Sequence, residues 1–386
     1  MRTIITAERL FTPQQKIESP VVVVEDGRIN LVSAAATAEL PSGRRLDFPD
    51  LVLAPGFIDI HIHGGAGHDV MEADGVGQQQ FERQLLRHGV TSYLPTTVTA
   101  PMEKIFSALD RLGRRIGQKK MIGNQGACPV GIHLEGPFIS HEKRGVHPPE
   151  NLLPPSTAVL DQFWQTSQGT LKLMTIAPEL PNARKTIAHA RSLGIISSLG
   201  HSNATLEEAE CAISAGASHA THTFNAMRAL DHRTPGLLGA ILNNDQISAD
   251  VIADGIHVHP EVVGLFLRAK GPEHAILITD AISATGMPDG TYKLGSFDVE
   301  VRGGRCDYQG RLAGSVLTLD RAVRNVMKFA GWSLQQALGL VTLNPARLLG
   351  ISDQRGLLAA GRRADLVVLT PEGEVVHTMV AGEIVH

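Results

Sequence analysis

Histidines and carboxylates recur in this sequence where apolar runs end. His61 and His63 alternate with Ile60 and Ile62 in FIDIHIHG, so in an extended chain both imidazoles leave the same face. Glu135 closes GIHLEG, His201 falls in LGHSNAT, His222 in THTFNAM, and Asp280 closes ILITDA. Imidazoles together with carboxylates suit a first-row divalent metal that keeps an open coordination position. Water at such a position loses a proton near neutral pH, and a nearby carboxylate, here Asp280, is placed to move it. The chemistry implied is metal-assisted hydrolysis. Each residue alone also has an ordinary reading: a hydrogen-bonded histidine pair at 61 and 63, a buried Glu135 paired with arginine, single hydrogen-bonded histidines at 201 and 222. His133 reads as a core residue or a support for a ligand. What tips the balance is that five separate runs deliver all six groups.

Those groups need elements to carry them. Eight apolar runs of strand length begin at residues 57, 90, 129, 171, 195, 219, 247 and 274. Their spacing of roughly 30 residues is that of a βα unit. Helical patterns separate them, among them QQQFERQLLRHG, MEKIFSALDRLGRRIG and TLEEAECAISAG, the last with Thr205 as N-cap and Glu208 three positions on. Eight such units close most naturally into a (β/α)8 TIM barrel, whose site lies at the C-terminal ends of its strands. A doubly wound open sheet is the alternative. The stretch 289–314 reads as an inserted hairpin. Residues 1–53 and 348–386 are short strands and turns, neither with enough apolar residues for a core of its own, so they are expected to share one small β-sandwich domain flanking a barrel at 54–347.

Composition narrows the function classes. With 35 Lys+Arg against 39 Asp+Glu the net charge is −4, and no basic cluster offers phosphate neutralisation, so nucleic acid is excluded as a partner. With 43% hydrophobic and 19% charged residues the chain can bury a large core. Cys128, Cys211 and Cys306 form no CxxC pair, which argues against a disulfide framework and a thiolate zinc site and for a reducing cytoplasm. No apolar run is long enough to span a membrane, and no leader pattern opens the sequence.

The ordered motifs PGFIDIHIHG, GIHLEGPF, KRGVHPP, LGHSNAT, THTFNAM with RTPG, ADGIHV and ITDA resemble the amidohydrolase superfamily, and within it the N-acetylglucosamine-6-phosphate deacetylase family, across the whole chain. HxH with a late Asp marks the superfamily; HLEGP, GHSNA and HxFNAM are more specific. The resemblance implies hydrolysis of the N-acetyl group of an amino-sugar phosphate. It implies that Glu135, His201 and His222 hold a metal, Zn or Fe, that Asp280 activates water and protonates the leaving amine, and that His147 polarises the acetamide carbonyl. It assigns sugar and phosphate contacts to Val146, Asn225, Ala226, Arg233, His257, Leu312, Ala313 and Gly314, and a homodimer in which Arg233 reaches the neighbouring site. Part of the family lacks histidines at the HxH positions and holds one metal. Here His61 and His63, with Asp280 and a bridging Glu135, give capacity for two.

The rivals are the galactosamine epimer as substrate, hydrolysis of a cyclic amide, and a non-catalytic scaffold. Ring-amide enzymes usually bridge two metals with a carboxylated lysine, where this chain has Glu135; scaffolds have lost ligands that are all present here. Lys143-Arg144 reads as an exposed pair and Met227 as packing, while His68, Asp69 and His259 receive no role.

Overall fold

The computed structural model describes residues 2–35, 42–122 and 126–386. Eight parallel strands, Phe57–Ile62, Val90–Thr97, Ile132–Glu135, Leu171–Ile176, Ile196–Leu199, His219–Ala220, Ser248–Ile252 and Ala275–Ile278, pair in chain order. A short strand, Cys128–Pro129, adds to the second. The ring closes where Ile62 bridges Ala281, the His63 N–H donates to the Ala281 carbonyl at 2.8 Å, and the Asp280 N–H donates to the His61 carbonyl at 2.9 Å. This is the (β/α)8 barrel expected, not an open sheet. Its strands are buried almost throughout, as parallel strands covered by helices must be.

The regular strands are shorter than the apolar runs. The runs at 195–202, 219–226 and 274–281 stop as strands at Leu199, Ala220 and Ile278, because His201, His222 and Asp280 turn into the left-handed region with φ of 47°, 32° and 50°. Non-glycine residues seldom adopt that conformation, and where they do it redirects the side chain. Here it occurs at three positions that the sequence marks for chemistry.

Local signals set the helices. Thr205 Oγ1 accepts the Glu208 N–H at 3.2 Å while Glu208 Oε2 accepts the Thr205 N–H at 2.8 Å, the reciprocal capping that starts Leu206–Ala215. Gly75–Arg87 starts under an Asp74 cap, and Met102–Ile122 follows the second barrel strand. Among the described residues no helix is long and apolar enough to cross a membrane.

Strands from both ends build one further sheet. Its order runs Glu383–Ile384, Val375–Val380, Leu366–Leu369, Arg44–Pro55, Arg2–Thr12, Pro20–Glu25, Arg28–Ala34, with Gln15–Glu18 folded against Arg2–Thr12. Ile5, Leu10, Val22 and Val24 from one end and Leu366, Val368 and Met379 from the other share a core. The stretch 289–314 is a four-stranded antiparallel meander, Gly290–Leu294, Phe297–Arg302, Arg305–Tyr308 and Arg311–Leu312. Phe297, Val299 and Val301 face inward, and Asp298, Glu300 and Arg302 face water.

Candidate active site

Five strand ends bring their marked residues to one point. Glu135, from the third strand, is the hub: its Oε1 lies 3.1 Å from His222 Nε2, 3.3 Å from His201 Nε2 and 3.3 Å from His61 Nε2, and its Oε2 lies 3.3 Å from His63 Nε2. Asp280 Oδ1 is 3.1 Å from His63 Nε2 and 3.6 Å from His61 Nε2. His201 and His222 meet through their Nε2 atoms at 2.9 Å, as do His61 and His63 at 3.2 Å.

Most of these rings are anchored through their other nitrogen. His63 Nδ1 donates to the Thr96 carbonyl at 3.0 Å and His201 Nδ1 to the Lys143 carbonyl at 2.9 Å, which leaves each Nε2 with its lone pair facing the centre. His61 Nδ1 bonds the Thr221 hydroxyl at 2.9 Å. His222 Nδ1 has no partner among the described residues, and this residue is held instead by its backbone N–H on the Asp250 carboxylate. Asp250 in turn takes His219 Nε2 at 2.9 Å. Glu179 performs the matching task after His201, accepting the Ser202 hydroxyl at 2.7 Å and the Asn203 N–H at 2.6 Å. Rings fixed in this way, lone pairs inward, are the outer bonding pattern of a metal centre.

Among the described residues, two groupings have their ligand atoms within 4.8 Å of one another: His61, His63 and Asp280, and Glu135, His147 and His201. His147 and His222 both compete for the second. His222 lies closer to Glu135, at 3.1 Å against 3.6 Å for His147. The tautomer decides between them. His147 Nδ1 accepts the Thr99 backbone N–H at 3.3 Å, so the proton of the neutral ring sits on Nε2 and that atom donates instead of ligating. Gly136 makes room for this arrangement: with φ of 74°, a Cβ there would fall 2.0 Å from Thr99 Oγ1, which is itself 2.8 Å from His147 Nδ1.

The electrostatics of the cluster call for positive charge. Burial disfavours the charged form of His63 and His222, yet Glu135 and Asp280 around them outweigh it and raise these rings to about 10 and about 9. Burial opposes ionisation of Asp280 too, but His61 and His63 hold its carboxyl at about 2, and the surrounding histidines keep Glu135 well below the usual carboxylate range. His201, by contrast, falls to about 4, chiefly through burial. Protons on His63 and His222 balance the two ionised carboxylates; with those protons displaced, the imidazoles and carboxylates are a donor set that a divalent cation would satisfy.

A cavity of about 210 Å³ opens above this floor. Val146, Asn225, Ala226, His257, Leu312, Ala313 and Gly314 all line it, together with His63, Glu135, His147, His201, His222 and Asp280. His61 lies fully buried beneath. His257 is fixed by Asp254 Oδ2 at 2.7 Å from its Nδ1. Arg233 does not line the cavity of its own chain: it sits exposed in the 228–235 loop, its N–H held by Asp231. His133 is fully buried under the site, between Thr96 and Thr175. Met227 packs in the core, and Arg144 is half-buried beside a neighbouring cavity instead of standing free. Sequence reasoning missed Val98, Leu294 and Phe297 on the cavity wall. The alternation of Phe297, Val299 and Val301 signals an inward face on the meander, though not what that face covers.

A family model described as the amidohydrolase family matches residues 52–385. The chain belongs to the amidohydrolase family. Within the family it is 37% identical to the N-acetylgalactosamine-6-phosphate deacetylase of Escherichia coli O157:H7, over 100% of this chain and 99% of that protein. It is also 37% identical to the N-acetylglucosamine-6-phosphate deacetylase of Bacillus subtilis, over 97% of this chain and 95% of that one. Among solved structures, a point mutant of N-acetyl-D-glucosamine-6-phosphate deacetylase from Mycobacterium smegmatis, in complex with N-acetyl-D-glucosamine-6-phosphate, superposes with a TM-score of 0.93 at 33% identity, covering 100% of this chain and 99% of that chain. This amidohydrolase thus shares its full length with deacetylases of hexosamine 6-phosphates.

Proposed function

We propose that this amidohydrolase removes the acetyl group of N-acetyl-D-glucosamine 6-phosphate, giving D-glucosamine 6-phosphate and acetate, in amino-sugar catabolism. The observation that carries the reading is the convergence of Glu135, Asp280 and the inward-facing histidines under a cavity walled by Asn225, Ala226 and His257, in a chain alike over its whole length to deacetylases of hexosamine 6-phosphates.

Zinc or iron, one or two ions per chain, held by Glu135, His201 and His222 and by His61, His63 and Asp280, supplies Lewis acidity and lowers the pKa of water when bound. Asp280 takes a proton from the attacking water and delivers it to the leaving nitrogen as the C–N bond breaks and a C–O bond forms. His147 donates from Nε2 to the acetamide oxygen, where negative charge develops. His257, Asn225, Ala226 and the backbone at Val146 and Leu312 to Gly314, which line the cavity, meet the sugar hydroxyls and the phosphate. Arg233, exposed on its own chain, completes the phosphate site of a second copy in a homodimer; its planar fork suits a phosphate. The domain division that goes with this reading is a catalytic barrel at 54–347 flanked by 1–53 and 348–386, and the unpaired Cys128, Cys211 and Cys306 favour the cytoplasm.

The full-length likeness to an N-acetylgalactosamine-6-phosphate deacetylase favours a second reading, in which the galactosamine epimer is the substrate. Incubating metal-loaded protein with the two N-acetylhexosamine 6-phosphates and their unphosphorylated forms, and measuring acetate, separates the two. Faster release from the glucosamine epimer is expected; no acetate from either phosphate would overturn both.

A further inference from the structure

Asp59 has no part in the reading above. It lies on the first barrel strand, two residues before His61, and is fully buried. Its oxygens face the closing seam of the barrel. Oδ2 accepts the Thr279 hydroxyl at 2.6 Å, and Oδ1 accepts the backbone N–H groups of His61 at 3.3 Å and Thr279 at 3.4 Å. Thr279 Oγ1 also accepts the Ala281 N–H at 3.2 Å, so the residues on both sides of Asp280 hang from one hydroxyl.

The seam needs such a device. Neighbouring strands elsewhere in the barrel pair through ladders, whereas the first and eighth meet at the single bridge between Ile62 and Ala281 and the backbone bonds beside it. At this weakly paired edge stand His61 and His63 on one side and Asp280, in its left-handed conformation, on the other. Asp250 braces His222 and Glu179 braces the residues after His201, each with a carboxylate on backbone N–H groups. Asp59 makes the same kind of bond for Asp280 and for the HxH pair at once. A carboxylate this deeply buried is costly, and leucine in its place would leave the His61 and Thr279 N–H groups without this acceptor.

We infer that Asp59 is a positioning residue for this reaction: through Thr279 it fixes the backbone from which Asp280 projects, and through the His61 N–H it fixes the His61–His63 pair against it. The inference rests on the deacetylase reading only for the activity used to observe it.

The test compares Asp59→Asn, Thr279→Val, Thr279→Ser and the Asp59→Asn/Thr279→Val double variant in the full-length protein, reading kcat and KM for the hexosamine 6-phosphate that the wild type cleaves and Co²⁺ binding by equilibrium dialysis. Loss of one outer hydrogen-bond partner typically costs about 10–100-fold in activity or metal affinity. Asp59→Asn and Thr279→Val are expected to lower kcat by about that factor with KM within about twofold, and to weaken Co²⁺ at His61, His63 and Asp280 while Co²⁺ at Glu135, His201 and His222 stays bound. Thr279→Ser keeps the hydroxyl and should stay near wild type. The double variant should lose less than the two single losses combined, because the substitutions share the Asp59–Thr279 bond.

Wild-type kcat in a folded Asp59→Asn protein overturns the inference, and so does Thr279→Ser falling as far as Thr279→Val. Should Asp59→Asn fail to fold, the two Thr279 variants decide alone. A wild type that releases no acetate sinks the deacetylase reading instead, and the Co²⁺ comparison then judges Asp59 without it.

Discussion

His147 accepts a hydrogen bond from the backbone N–H of Thr99, and so presents a protonated Nε2 to the catalytic pocket. In the proposed reaction that donor stabilises the acetamide oxygen as charge develops on it, a contribution worth about 10²–10³ in kcat. His147→Ala should show this loss with bound metal unchanged, whereas Glu135→Gln should lose metal. Kinetics alongside elemental analysis separates the two outcomes, and metal loss in His147→Ala would make His147 a ligand.

Asp280→Asn should lower kcat by about 10²–10⁴ while the fold persists, since the amide is similar in size but cannot accept a proton from water. Circular dichroism and metal content measured on the same preparation show whether the ion at Glu135, His201 and His222 is still in place. Full turnover in that protein would remove Asp280 from the proton path.

The His61–His63 pair makes metal count informative. Wild type reloaded with Zn or Fe should approach two equivalents, and His61→Ala/His63→Ala should lose one. A plateau at one equivalent in both proteins would mean that the pair only orients water.

Arg233→Ala should weaken the phosphorylated substrate more than its unphosphorylated form, by roughly 2–3 kcal/mol for a charge-assisted bond. Light scattering should report a dimer. A fully active monomer would show that Arg233 serves no neighbouring site.

Outside the catalytic cavity, burial disfavours the charge on Asp320, yet the hydrogen bond from His88 at 3.1 Å, with Arg324 at 2.9 Å, holds its carboxyl at about 2. Because the folded-state value lies below that of the unfolded chain, its contribution of about 2 kcal/mol is present above about pH 4 and lost as pH falls toward 2. The gap in urea midpoint between wild type and Asp320→Asn should therefore be widest near pH 6 and shrink by pH 3. A pH-independent gap would mean that the charge on Asp320 contributes nothing.

The clustered residues were legible because each ends an apolar run, and in a barrel all such ends lie on one rim. The strand termini were not. The sequence runs continue past Leu199, Ala220 and Ile278, and only the left-handed turns at His201, His222 and Asp280 end the strands there. The tautomer of His147 was hidden too, since it depends on Thr99, 48 residues earlier, at the end of another strand. Arg233 carries no local signal that could tell an arginine for its own pocket from one for a neighbour's.

The sheet that joins both ends of the chain has a cost in time. Pro55 pairs with Leu366, so the C-terminal half of strand Arg44–Pro55, which has Arg2–Thr12 on one side, cannot find its other neighbour until more than three hundred further residues have been made. At 5–20 residues per second that is roughly fifteen seconds to a minute on the ribosome. Throughout that interval Val52 and Leu53, fully buried in the finished protein, stand on an open edge. The nascent chain therefore carries an unpaired strand edge for most of its synthesis.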